Sequence, residues 1–201
     1  MGRPRKDQTG VSARDRLAQA FWELLEEQSF SDITIGQLSR RAGVNHNTFY
    51  YHFNNTEDMA RTLFMENLEP QLLLSITPFD PHVKEKPGYS FHELVAGDAP
   101  NELIERFHKM QVFARDQSPF MQRLLKEQML ETWLSISGRA HESLTRQECL
   151  TLIFVLGGIT ALASQLQTGD MRYEMETFAA GSLGSFIFDW LTDFVNQVDA
   201  D

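Results

Sequence analysis

Residues 33–59 read ITIGQLSRRAGVNHNTFYYHFNNTEDM, and the fold turns on how this stretch is parsed. Thr34 followed by Gln37 has the spacing of a capping box, in which a hydroxyl and a side chain three residues on satisfy each other's backbone N–H groups. It opens a short helix through about Ala42. Gly43 ends that helix, because a tight helix exit needs positive φ, which glycine adopts without steric cost. Asn45 caps a second short helix to about Phe53, and Asn54 with Glu57 caps another that runs toward Leu68. Upstream, Ser12 and Asp15 form a further cap, followed by Leu17, Phe21, Leu24 and Leu25 on one face of a helix ending near Gln28. Two short helices joined by a glycine turn and buttressed by a longer one describe a helix-turn-helix.

The second short helix divides by face. At about 100° per residue, Phe49 and Phe53 fall on one side and pack with Val44, Leu38 and Ile35 into a small core. Asn47 and Tyr51 point the other way, with His46, Thr48, Tyr50 and His52 between. This surface carries hydrogen-bonding and aromatic groups and no acid, as a helix entering a major groove requires. The alternative is a polar solvent face on an ordinary helical hairpin, although such a face commonly carries Glu and Lys rather than two consecutive Tyr flanked by His. Ahead of the first helix, Arg3, Arg5 and Lys6 with Pro4 form a cationic run. It reads either as a solvated tail or as an extended arm lying along a minor groove.

Charge bears on that choice. The chain has 201 residues, enough for one domain or a small domain joined to a larger one, and a net charge of -10, which at face value argues against a phosphate partner. By position the objection disappears. Residues 1–62 hold eight basic and eight acidic side chains, so the whole of the -10 belongs to the remainder, and residues 33–56 contain Arg40 and Arg41 with no acid. The acidic remainder is repelled by a duplex, so the chain approaches DNA by its N-terminal part. One Cys and 42% hydrophobic residues indicate a globular chain without a disulfide framework, in a reducing cytoplasm. The N-terminal charges are followed by no apolar run, so no secretory signal is read there. The longest apolar stretch, Cys149 to Ala163, falls short of the roughly 18 residues of a membrane span.

The stretch also resembles the N-terminal signature of the tetracycline-repressor (TetR) family of bacterial transcriptional regulators. The matching positions are Thr34, Leu38, Ala42, Gly43, Val44, Thr48, Phe49, Tyr50, His52, Phe53 and Glu57, within a resemblance covering about residues 12–68. It implies an all-α homodimer: a three-helix DNA-binding domain, taken as residues 1–55, and a helical effector-binding and dimerisation domain, taken as 56–201. It further implies that Thr34, Thr48, Tyr50, Tyr51 and His52 contact DNA, mostly at phosphates, while His46 and Asn47 stand where base-reading residues vary. Thr56 stands where the family commonly has a phosphate-binding Lys, a departure that leaves more of the electrostatics to the arm and to Arg40 or Arg41.

Beyond Leu68 the residues themselves carry the reading. Residues 78–100, with four Pro, form either a lid over a cavity or a surface connector. Leu103, Ile104, Phe107, Met110 and Ala114 make one helical stripe; after Ser118-Pro119, Met121, Leu124, Leu125, Gln128, Trp133 and Ile136 make another. Phe107, Met110, Phe113, Met121, Met129 and Trp133 are either plain core or the lining of a pocket for an apolar or aromatic small molecule, since Met adapts to varied shapes. Thr145 with Glu148 caps a helix to about Leu166, and a last helix runs from about Tyr173. Both are apolar over more than one face, and Gly157, Gly158, Gly181 and Gly184, with Phe188 and Trp190, are read as a contact between protomers. The family dimerises through its last two helices, in agreement.

Catalysis is not expected. None of the six His has the i, i+4 partner and Glu of a zinc-hydrolase helix, and no phosphate loop or nucleophile elbow is present. Neither a metal nor a cofactor is called for. The reading is a DNA-binding regulator, a repressor released from a double-stranded operator by a small molecule. The alternative is an architectural or regulatory DNA-binding protein controlled without a ligand.

Overall fold

A computed structural model describes residues 11–67, 100–165, 177 and 181–196, and every regular element among them is helical. The chain divides into two compact units, residues 1–66 and 67–201.

In the first unit, α1 (Ala13–Glu27) begins at a complete capping box between Ser12 and Asp15 and buries Leu17, Ala20, Phe21, Leu24 and Leu25 along one face. A single 3-10 turn, Phe30–Asp32, sets the ring of Phe30 edge-on to Phe21 with centroids 6.4 Å apart. α2 (Ile35–Arg41) starts at the Thr34–Gln37 box. It ends in a Schellman motif: Gly43 has φ 61°, its N–H donates to the Arg40 carbonyl, and the Val44 N–H donates to the Ser39 carbonyl. α3 (His46–Tyr50) follows directly, shorter than the predicted extent to Phe53, with Tyr51 and His52 forming a turn after it.

α4 (Thr56–Asn67) corrects one expectation. Its cap lies one residue later than the predicted Asn54–Glu57 pair: the Asn55 side chain accepts from the Asp58 N–H at 2.8 Å, and the Asp58 carboxylate accepts from the Asn54 backbone and side-chain amides at 2.8 and 3.0 Å. The first compact unit runs through α4 to residue 66. Met59, Ala60, Leu63 and Phe64 of α4 are buried, and Glu66 pairs with Arg14 of α1. The Arg14 guanidinium also lies 5.7 Å from the centre of the Phe53 ring, so one side chain ties both ends of the α4 segment to α1.

In the second unit, α5 (Asn101–Arg115) and α6 (Pro119–Ile136) are joined by a tight corner. Ser118 caps α6 with Pro119 at its first position, the Asp116 carboxylate accepts from the Ser118 N–H at 2.8 Å, and the Gln122 amide donates to the Asp116 carbonyl at 2.7 Å. α6 ends as α2 does, with Gly138 at φ 61° and the Arg139 N–H donating to the Leu134 carbonyl. α7 (Arg146–Gln165) packs on both α5 and α6, and α8 (Ser182–Asn196) packs on α6. Met110, Phe113, Met121, Leu124, Leu152, Val155 and Phe194 form the shared core.

The start of α7 is held by charge as well as by its cap. Glu148 accepts from the Thr145 N–H and hydroxyl at 2.7 and 2.8 Å and from Arg139 at 2.7 Å. The Arg139 guanidinium, reinforced by the Thr145 hydrogen bonds against the opposing effect of burial, lowers the Glu148 carboxyl to about 2. Arg139 lies over the Phe194 ring at 4.8 Å, and so links the α6–α7 loop to α8.

Among the described residues no helix is long and apolar enough to cross a membrane. The arm residues Arg3, Arg5 and Lys6, the segment 78–99 and the predicted start of the last helix near Tyr173 lie outside the described residues.

Candidate nucleic-acid interface

α3 has five residues, far below the dozen or so at which an isolated helix is marginally stable in water. It exists because both of its ends and one face are anchored. Asn45 accepts from the Asn47 N–H at 2.8 Å at the start, Phe49 is fully buried, and the Phe53 N–H donates to the Phe49 carbonyl at 3.0 Å beyond the end. The Phe49 and Phe53 rings lie 5.7 Å apart in the core of the first unit.

The opposite side is open. His46, Asn47, Tyr50, Tyr51 and His52 are exposed, Tyr51 to 85%, while Thr48 is half-buried. His46 meets Tyr50 edge to face, with centroids 5.6 Å apart, which restricts both rings one turn apart on the helix. Asn45 is spent on the cap, so the Asn47 amide is the side-chain carboxamide this first turn presents outward. α2 and α3 carry no acidic residue, as the spacing of charges in the sequence implies.

The remaining predicted contacts divide. Thr34 is exposed, but its hydroxyl donates to Gln37 Oε1 at 2.7 Å and accepts from the Gln37 N–H at 3.2 Å, so its first task is to hold the start of α2. Thr56 is half-buried at the first position of α4. Arg40 is exposed and has no ion pair among the described residues. Arg41 is forked onto Glu27 of α1, Nη1 to Oε1 at 2.6 Å and Nη2 to Oε2 at 2.7 Å, with Glu23 at 3.9 Å. That two-bond contact lowers the Glu27 carboxyl and raises the Arg41 guanidinium from their ordinary values. Neighbours in sequence thus differ in their surroundings: Arg41 ties α2 to α1, and Arg40 faces solvent.

In the second unit, Met110, Phe113, Met121, Met129 and Trp133 are all buried on the packed pair α5 and α6; the Phe107 side chain lies outside the described residues. Of the small residues read as an interface, Gly158 and Gly181 are exposed, Gly157 is half-buried and Gly184 is buried. A Cβ added at Gly157 or Gly158 meets no neighbouring atom within 4 Å. Trp190 is half-buried and stacks on Phe194 at 5.4 Å, and the Phe188 side chain lies outside the described residues. More telling are the large apolar side chains along the same two helices. Leu150, Ile153 and Phe154 on α7, and Leu183 and Phe186 on α8, are each more than half exposed. The i, i+3, i+4 spacing of Leu150, Ile153 and Phe154 is the signal that marks this stripe.

Comparison with known proteins concerns mainly the first unit. Residues 18–63 match the family model described as bacterial regulatory proteins, tetR family. The chain is 32% identical over 62 residues to an uncharacterised helix-turn-helix-type transcriptional regulator, YxbF, of Bacillus subtilis, covering 30% of this chain and 16% of that protein. It is 34% identical over 65 residues to the helix-turn-helix-type transcriptional regulator SrpR of Pseudomonas putida, covering 32% of this chain and 30% of SrpR. The match thus spans less than a third of either relative. A crystal structure of the TetR family repressor AlkX from a Dietzia strain aligns over 91% of this chain and 97% of its own, with 18% identity and a TM-score of 0.41. Residues 18–63 thus form an N-terminal helix-turn-helix domain of the type found in the tetR family of bacterial regulatory proteins.

Proposed function

We propose that the protein is a DNA-binding transcriptional regulator that acts as a homodimeric repressor and leaves its operator when a small apolar or aromatic molecule binds the second unit. The observation that carries the reading is the outward surface of α3. Its exposed His46, Asn47, Tyr50, Tyr51 and His52 offer donors and acceptors to base edges and phosphates with no acid on α2 or α3 to repel a duplex. Thr34, Thr48, Thr56 and Arg40, with Arg3, Arg5 and Lys6 ahead of α1, complete the set assigned to DNA; Arg41 is assigned to bracing the reading head.

The dimer reading is supported by the apolar stripe on α7 and α8, which includes Ile153 and Phe154, each 68% exposed in the single chain. A stripe of that kind is stable in water when a second subunit covers it. Two heads related by a two-fold axis read half-sites about 34–36 Å apart or at a multiple of that distance. The effector reading is supported by the concentration of Met and aromatic side chains on α5 and α6. Such a ligand can release the operator only by binding one head spacing more tightly than another.

The test is selection of an operator from random duplexes, followed by a compound screen for its release at fixed salt. Saturable binding of a compound to the protein with operator affinity unchanged would defeat the effector half of the proposal. Failure to select any duplex would defeat the whole.

A further inference from the structure

The search for an operator can be narrowed by asking which base the head is built to read. Recognition helices meet base edges with residues of their first turns. In this head that position is held by a carboxamide, and the residues around it exclude the commonest alternative.

Guanine is read most often by Arg or Lys, whose paired donors meet the O6 and N7 acceptors together. No Lys or Arg occurs between Ala42 and Ala60, which spans the turn, α3 and the start of α4. The nearest basic residue on the sequence side of the turn that is braced elsewhere is Arg41, held by both carboxylate oxygens of Glu27. Cytosine is read by an acceptor such as Glu or Asp, and no acid lies on α2 or α3. What α3 offers is the Asn47 amide, one acceptor beside two donors, which is the pattern that pairs with N6 and N7 of adenine. Asn47 is exposed and lies on the face opposite buried Phe49, and its backbone N–H, donating to Asn45 Oδ1 at 2.8 Å, fixes the main chain from which the carboxamide projects. Thr48, half-buried beside it, brings a methyl group of the kind that packs on a thymine methyl.

We infer that each head reads an A·T pair in the major groove, with the Asn47 carboxamide paired to the adenine N6 and N7. The inference rests on the DNA-binding reading above and specifies its ligand: an operator whose half-sites hold one adenine that only Asn47 inspects.

The experiment uses the full chain. Duplexes are selected from a random pool, and each adenine of the selected half-site is then replaced by 7-deazaadenine, which keeps base pairing and the minor groove and removes N7. Wild-type protein should lose about tenfold in affinity at one adenine per half-site, the scale of half a bidentate base contact. Asn47→Ala should bind the natural duplex more weakly and be indifferent to the same replacement, with an unchanged melting temperature because the side chain is exposed. A selected site without an adenine whose N7 matters, or an equal loss in Asn47→Ala, overturns the inference while leaving the regulator reading standing. Absence of any selected duplex overturns both.

Discussion

Phe154→Glu is the substitution that most directly examines the second unit. Phe154 and Phe186 are 68% and 65% exposed in the single chain. A phenylalanine buries about 200 Å² when fully covered, so each of these rings leaves roughly 130 Å² open. At about 25 cal/mol per Å², covering one ring contributes about 3 kcal/mol. A two-fold dimer uses each ring twice, so the four rings together contribute about 13 kcal/mol gross, against an association cost of about 4–15 kcal/mol. Replacing Phe154 in both protomers removes about half of that and puts two carboxylates into an apolar contact. Area converts poorly to affinity, so the expected effect is set low: a dissociation constant raised at least about a hundredfold, where every 1.4 kcal/mol is tenfold. Sedimentation equilibrium across micromolar concentrations measures it, with circular dichroism as the control. Helicity should be unchanged, because a ring this exposed supports little of the monomer, and Ile153→Glu should act in the same direction. A Phe154→Glu protein that remains dimeric wherever the wild type is dimeric refutes the assignment of this stripe.

The other expectations concern single contacts. Gly43→Ala should destabilise the first unit by about 1–2 kcal/mol in chemical denaturation; φ is 61° and an added Cβ meets nothing within 4 Å, so the loss measures backbone strain alone, and no loss would contradict the left-handed turn. Arg40→Gln should flatten the salt dependence of DNA binding by about 0.9 per protomer in the logarithmic slope, whereas Arg41→Gln should leave the slope unchanged because its charge is already matched by Glu27; the reverse order would mean that Arg41 exchanges Glu27 for phosphate on binding. Glu148→Gln keeps an acceptor for the α7 cap and removes the charge. Since the folded carboxyl is lowered to about 2 from an ordinary 4.5, its contribution is complete above pH 4.5 and disappears as the pH falls toward 2. The variant should therefore be about 1 kcal/mol less stable than wild type at pH 7 and equal to it near pH 2, as read from urea midpoints.

Local grammar made much of the fold legible. Ser12–Asp15, Thr34–Gln37, Ser118-Pro119 and Thr145 before Glu148 all start helices where their spacing indicates, because a cap involves only residues within one turn. Gly43 ends α2 for the same reason. The α4 start was ambiguous because Asn54–Glu57 and Asn55–Asp58 offer the same spacing one residue apart, and only the packed chain chooses between them. What spacing could not reveal were contacts between distant residues. Arg41 looks like Arg40 until Glu27, fourteen positions earlier, is brought beside it. Arg14 meets Glu66 across 52 positions, a pairing that no local spacing indicates. Which face of the greasy helices α7 and α8 stays open is decided only by their packing on α5 and α6, which leaves Leu150, Ile153, Phe154 and Phe186 exposed.

The division of labour within α3 bears on what a single substitution there can change. Phe49 and Phe53 hold the helix, and His46, Asn47 and Tyr51 contribute almost nothing to holding it. Substitution on the outward side therefore leaves the scaffold standing and, under the proposed function, alters only what it recognises. Substitution on the inward side abolishes recognition of every site at once.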